Sequence, residues 1–108
     1  MLIDHEDYWW FIRSLVTCIW SQNSTSAIEE LFAKASQMGV YSSEALEEGL
    51  IAAIKAMDDS VVQDFEETVY HNLAVVMKST ELYKEEERFM QVVRHAKDTE
   101  KLIQLTLW

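Results

Sequence analysis

Three side chains at helical spacing form the most regular candidate for a metal or acid-base site. His71 follows Glu67 by four residues, and Asp64 precedes Glu67 by three, so one face of a helix could carry all three. A carboxylate-bridged pair of metal ions in a helical bundle needs Glu-x-x-His motifs on two helices, and the sequence does not repeat such a motif. The preferred interpretation is therefore a solvated polar face that includes a histidine.

Nucleophilic and phosphate chemistry lack the residues that they require. Cys18 lies between Val16 and Ile19, and apolar surroundings raise a thiol pKa, whereas a reactive thiolate needs nearby positive charge. No serine lies in a Gly-x-Ser-x-Gly turn, and the only glycines, Gly39 and Gly49, cannot form a phosphate-binding loop. We therefore expect no enzymatic activity, no cofactor and no metal.

The strongest chemical signal is an acidic block in the middle of the chain. Between positions 44 and 67 the only basic residue is Lys55. The acidic residues there are Glu44, Glu47, Glu48, Asp58, Asp59, Asp64, Glu66 and Glu67. So many carboxylates repel one another, so the block either attracts a basic partner or serves solubility alone. All eight are candidate partner-binding residues, and the last five are favoured because they fall within one helix junction and the next two turns.

The overall charge excludes other partners. The chain has 19 acidic and 9 basic residues, a net charge of −10, and no cluster of Lys and Arg free of acidic neighbours. Nucleic acids and anionic membrane surfaces both attract basic patches, so neither is an expected direct partner. The longest apolar stretch is interrupted by Arg13 and is shorter than the roughly 20 residues that span a bilayer, so the sequence does not predict a membrane span.

Length and composition indicate one globular domain over residues 1–108. Apolar residues make up 49% of the chain, enough for a core despite the charge. A single cysteine fits a reducing compartment, and the acidic start lacks the positive charge of a secretory signal. The expected location is therefore the cytoplasm.

Helices are predicted throughout because the chain has no proline and only two glycines. A first helix from His5 to Ser21, capped by Asp4, is apolar around most of its circumference and should be central. A second begins at Ser26 and ends at Gly39.

The remaining helices follow from capping residues and apolar periodicity. A third begins at Ser42 or Ser43 and contains Gly49, whose cost of about 1 kcal/mol relative to alanine indicates close packing by a neighbouring helix. A capping box at Ser60 and Gln63 opens a fourth.

A fifth helix is predicted from Ser79-Thr80, although one long kinked helix from the fourth through the fifth is an alternative. Within it, the run from Lys84 to Arg88 reads as a solvated face with local ion pairs. The last segment, from Asp98 or Thr99, is predicted to be helical, with a strand as the alternative. The predicted fold is an all-α bundle of five to six helices.

Aromatic residues cluster near the start of the chain, from Tyr8 to Phe11, with Trp20 one helix length away. They could line a ligand pocket, but core packing is the preferred interpretation. Trp9 and Trp10 are about 100° apart on a helix, so one of them is expected to be exposed as an interface anchor.

In size, acidity, lack of disulfides and lack of catalytic motifs the chain resembles the small immunity proteins with which bacteria neutralise their own nuclease toxins. These include the immunity proteins of contact-dependent growth inhibition systems. The resemblance implies a tight one-to-one complex with a basic toxin or another nucleic-acid-handling protein. Phage inhibitors of defence nucleases are similar in the same respects. Two other classes stay open. One is an enzyme or a ligand- or metal-binding bundle that uses Asp64, Glu67 and His71 with the aromatic pocket, and the other is a homodimeric adaptor that uses Trp9 or Trp10.

Overall fold

Six α-helices make up most of the described chain in the computed structural model, which describes residues 5–21, 25–59 and 66–107. The side chains of Thr25, Asp58, Asp59 and Glu66 are not described. The helices are α1 His5–Trp20, α2 Thr25–Met38, α3 Ser43–Asp59, α4 Glu66–Ser79, α5 Glu86–His95 and α6 Thr99–Leu107, with a 3₁₀ turn Leu82–Lys84 between α4 and α5. Since these ranges contain no strand, the all-α prediction is confirmed, and the last segment is a helix.

The first helix is central, as predicted. It packs against α2, α3 and α4. Its residues Phe11, Leu15 and Ile19 have no solvent exposure, because the apolar positions at intervals of four face the neighbouring helices. The predicted close approach at Gly49 is also confirmed, since this glycine of α3 lies against Leu15.

Several helix ends agree with the capping prediction. The hydroxyl of Ser42 accepts a hydrogen bond from the Ala45 amide at 3.1 Å, and the carboxylate of Asp98 accepts one from the Lys101 amide at 3.0 Å. Helix α2 ends at Met38 and is followed by Gly39 with a positive φ of 77°, the left-handed conformation that glycine favours. These three helix ends could be predicted from the sequence because each depends on a local side chain or on glycine.

Two predicted helix starts are wrong. Ser26 is not the cap of α2, because the helix already includes Thr25 and Ser26 belongs to its first turn. Ser79 and Thr80 do not open α5 either. The Thr80 hydroxyl instead donates back to the Val76 carbonyl at 2.9 Å and so belongs to the end of α4. The predicted caps Asp4 and Ser60 lie outside the described residues.

The connection between α4 and α5 is a tight turn and not a kinked helix. Glu81 adopts a left-handed conformation with a φ of 58°, which breaks the helical path, and α5 begins only at Glu86. The run from Lys84 to Arg88 is therefore not one helical face. Lys84 lies in the 3₁₀ turn and pairs with Glu81 at 3.0 Å. In the described part of the chain, no helix has the length and apolar character needed to cross a membrane.

Candidate functional site: an acidic cleft between α3 and α5

The N-terminal half of the acidic block forms one wall of an open cleft. Positions 44, 47, 48 and 51 of α3 share one helix face because they are separated by three, four and seven residues. The cleft measures about 330 Å³ and is lined by Glu44, Glu47, Glu48, Ile51 and Gln91, the last from α5. We call these five residues the acidic cleft.

The buried face of α3 fixes the direction of these carboxylates. Leu46, Leu50 and Ile54 are at most 2% exposed and pack into the core. Because they occupy the inner face of the helix, the glutamates between them are turned toward the surface. The core beneath α3 therefore determines which face of the helix carries the carboxylates of the acidic cleft.

Two of the three carboxylates are held by groups from other helices. Arg88 Nη2 of α5 donates to Glu44 Oε1 at 2.8 Å, and the Tyr8 hydroxyl of α1 donates to Glu48 Oε2. Glu47 has no hydrogen bond or ion pair with any other described residue. Glu47 instead interacts with Arg88 through its charge alone, which contributes to the raised pKa of that guanidinium.

These contacts shift the pKa values of Glu44, Arg88 and Tyr8. The hydrogen bond from Arg88 lowers the pKa of the Glu44 carboxyl, and the same hydrogen bond raises the pKa of Arg88. Burial, the hydrogen bond to Glu48 and then the charges of Glu48 and Glu44 raise the pKa of Tyr8 to about 12. At neutral pH the Glu44 carboxyl is therefore ionised and the Tyr8 phenol is neutral.

The C-terminal half of the acidic block lies elsewhere or outside the described chain. Glu67 projects from α4, and its carboxylate pairs with Lys101 of α6 at 3.1 Å. Asp64 lies outside the described residues, as do the side chains of Asp58, Asp59 and Glu66. Glu67 is therefore the one member of the favoured group of five whose side chain the structure places.

The acidic block has more positive charge near it than the sequence indicates. Within positions 44 to 67 only Lys55 is basic, but Arg88 and Lys101 supply counter-charges from later helices. Arg88 also forms a local ion pair, to Glu85 at 3.1 Å. Its shorter contact, to Glu44, spans 44 positions of sequence.

Of the candidate metal residues, Glu67 and His71 lie on α4, and Asp64 lies outside the described residues. His71 is exposed on α4, and the carboxylate of Glu67 is bound to Lys101. Among the residues that the structure describes, no group of three or more His, Cys, Asp or Glu side chains could hold a metal ion. Cys18 is half-buried, and its burial raises the thiol pKa.

The aromatic residues divide between core and surface. Trp9 is 46% exposed, whereas Trp10 is half-buried with the Lys34 ammonium 5.0 Å from its ring centre. The Trp20 indole donates to the Ala53 carbonyl at 3.1 Å. The prediction that one of the adjacent tryptophans is exposed is confirmed, and Trp20 contributes to helix packing.

Sequence reasoning missed three contributors to the acidic cleft: Tyr8, Arg88 and Gln91. One signal was available for Tyr8, because a tyrosine in an otherwise apolar run needs a partner for its hydroxyl. Arg88 and Gln91 gave no such signal, since their position depends on how α5 packs on α3.

Comparisons of the chain with protein-family models, curated proteins and solved structures find no match in any of the three.

Proposed function

We propose that this chain is an acidic helical inhibitor of the immunity type, which binds and neutralises a basic protein in the cytoplasm. A nuclease toxin or another nucleic-acid-handling protein is the favoured partner. The observation that carries the proposal is the acidic cleft, where Glu44, Glu47 and Glu48 share one face of a helix backed by the core. The net charge of −10 extends the attraction beyond this surface.

The chemistry of the acidic cleft suits a cationic side chain. Ionised carboxylates can take the place of the phosphates that a nucleic-acid-binding surface normally contacts. Ile51 adds an apolar surface on which the aliphatic part of a lysine or arginine can rest while its charged end reaches a carboxylate. Complementary charge of this kind raises the association rate, to as much as about 10⁸ M⁻¹s⁻¹ at low salt.

The test is complex formation with the protein encoded beside this chain, since an immunity gene typically adjoins the gene of its toxin. We expect a one-to-one complex in size-exclusion chromatography with light scattering. If the neighbour is a nuclease, we expect its activity to fall in proportion to complex formed, and added nucleic acid to compete with the inhibitor. Binding that nucleic acid does not affect would contradict the occupation of a phosphate-binding cleft.

If the neighbouring protein does not bind, affinity capture from the native cell extract identifies the partner. A basic defence nuclease would favour the phage type of inhibitor. Recovery of the chain as a dimer without another protein would favour an adaptor that uses the exposed Trp9. A partner with an acidic surface would contradict the proposal.

A further inference from the structure

Trp9 differs from the other described tryptophans because its ring is open to solvent. It is 46% exposed, whereas Trp10 and Trp20 are half-buried. The Lys34 ammonium lies 5.0 Å from the centre of the Trp10 ring, and the Trp20 indole donates to a backbone carbonyl at 3.1 Å. Within the described ranges, Trp9 has neither a cation over its ring nor a hydrogen bond from its indole. The free protein therefore leaves the aromatic ring that binds cations best without a cation.

Tyr8 connects Trp9 to α3. The rings of Tyr8 and Trp9 meet edge to face, with their centres 5.7 Å apart and an angle of 83° between their planes. The Tyr8 hydroxyl donates in turn to the Glu48 carboxylate of α3. Glu6, one turn before Trp9, is exposed on the same face of α1. Trp9 is therefore an apolar surface with negative charge beside it from two helices.

Charge decides which kind of molecule can cover Trp9. A second copy of the chain would bring together two proteins that each carry a net charge of −10, and such like charges oppose association. A basic protein has the complementary charge. Among cationic side chains arginine suits an indole best, because its planar guanidinium stacks on aromatic rings and is less strongly hydrated than the lysine ammonium.

We propose that Trp9 is the anchor of the partner interface, where an arginine of the basic protein stacks on the exposed indole. The inference rests on the proposed function and extends its binding surface from α3 to α1. Carboxylates attract the partner over a distance and speed the encounter, whereas stacking on Trp9 acts only at contact and slows dissociation. Tryptophan and arginine are both enriched among the residues that dominate the binding energy of interfaces.

The first test compares Trp9→Ala with the unmodified chain, with a short fluorescent poly-arginine peptide as the probe. We expect the affinity for this peptide to fall about two- to fivefold, the loss that corresponds to one exposed cation–π contact. A poly-lysine peptide of equal length should lose less affinity. Leu107→Ala is the matched control, since it shortens an apolar side chain that is 61% exposed on α6. It should bind both peptides as the unmodified chain does.

The second test observes Trp9 in the unmodified protein by nuclear magnetic resonance of the indole N–H groups. The Trp9 signal is identified as the one absent from Trp9→Phe. It should shift when poly-arginine is added, while the signal of Trp20, whose N–H is bound to the Ala53 carbonyl, should stay in place. A Trp9 signal that does not move while the peptide binds would overturn the inference and leave the proposed function intact.

The remaining outcomes separate the inference from its premise. If Trp9→Ala binds poly-arginine as tightly as the unmodified chain, Trp9 is not the anchor, and the proposed function stands. Equal losses for poly-arginine and poly-lysine would overturn the stacking of arginine. A dimer in light scattering that Trp9→Ala dissociates would overturn the inference in favour of a second copy. If neither peptide binds the unmodified chain at low salt, the proposed function falls and the inference falls with it.

Discussion

Gly49 of α3 and Leu15 of α1 approach so closely that no side chain fits between them. A Cβ atom on Gly49 would lie 2.5 Å from Leu15 Cδ2 and 3.2 Å from Leu15 Cγ. Leu15 itself has no solvent exposure, so surrounding core residues limit its movement. The packing of the central helix against α3 therefore requires glycine at this position.

We expect Gly49→Ala to destabilise the protein although alanine is the better helix former. Overpacking typically costs about 1 to 3 kcal/mol, against a gain of about 1 kcal/mol in helix propensity. Urea denaturation measures the change in the free energy of unfolding. An increase in stability would show that Leu15 can rearrange freely.

The double variant Gly49→Ala with Leu15→Ala provides the control. Shortening Leu15 removes the atoms that the new methyl group would strike, so the two changes should together cost less than the sum of their separate effects. Additive effects would contradict a direct contact between the two positions.

Asn72 ties α4 to the end of α1. Its Nδ2 group donates to the carbonyls of Ile19 and Ser21, each at 2.9 Å, and the residue is 6% exposed. Carbonyls at a helix C-terminus lack partners within the helix, so Asn72 supplies them. We expect Asn72→Ala to lower the free energy of unfolding by about 1 to 3 kcal/mol, measured by urea denaturation.

The neighbouring His71→Ala is the matched control for Asn72. His71 is exposed on the same helix, and substitutions at such positions usually change stability by less than about 0.5 kcal/mol. A similar loss in both variants would indicate that the cost comes from α4 itself and not from the bonds to α1.

The raised pKa of Tyr8 predicts that the folded protein loses stability at alkaline pH. Burial, with the bond to Glu48 and nearby carboxylate charges, raises its pKa from about 10 to about 12 in the folded protein. The folded state thus holds the phenolic proton more tightly than the unfolded state. The resulting stability is complete below pH 10 and is lost as the pH rises toward about 12.

The variant Tyr8→Phe tests this dependence because phenylalanine does not ionise. Its urea midpoint should fall less steeply than that of the unmodified protein between pH 10 and about 12. The pKa of Tyr41 is also raised by burial, but Tyr41 is present in both proteins and cancels in the comparison. Parallel curves for the two proteins would contradict the raised pKa of Tyr8.

The comparison of sequence with structure separates local from long-range determinants. Helix identity, the central α1 and the caps at Ser42 and Asp98 were predictable, because periodicity and capping involve residues at most four apart. The turn at Glu81 was not, since glutamate gives no signal for a left-handed conformation. Local backbone hydrogen bonds close the turn, from the Glu81 amide to the Lys78 carbonyl at 3.2 Å and from the Lys84 amide to the Glu81 carbonyl at 2.9 Å, and no residue type in the sequence indicates them.

The candidate site likewise combines a feature that follows from local sequence with contacts that only helix packing creates. The shared face of Glu44, Glu47 and Glu48 follows from helical spacing, which the sequence contains. Their partners Tyr8 and Arg88 lie 40 and 44 positions away, and only the packing of three helices brings them together. The hydrogen-bonded carboxylates of Glu44 and Glu48 therefore could not be distinguished from that of Glu47 before the structure.

The acidic cleft should control the rate at which a basic protein binds. Replacing Glu44, Glu47 and Glu48 by Gln keeps acceptor oxygens for Arg88 and Tyr8 but removes three negative charges from one surface. We expect association with the partner, or with a short poly-arginine peptide used as a basic probe, to slow by about tenfold or more at low salt. The dependence of the rate on salt should also become weaker, because fewer charges act during the encounter.

A matched variant separates this local effect from net charge. Replacing Glu29, Glu30 and Glu100 by Gln removes the same amount of charge from exposed positions on α2 and α6, away from the acidic cleft. Both variants should keep the helical circular dichroism of the unmodified chain, since all six glutamates lie outside the core. Stopped-flow measurement over a range of salt concentrations gives the rates. If the two variants slow association equally, the acidic cleft contributes only to the total charge, and the binding surface lies elsewhere.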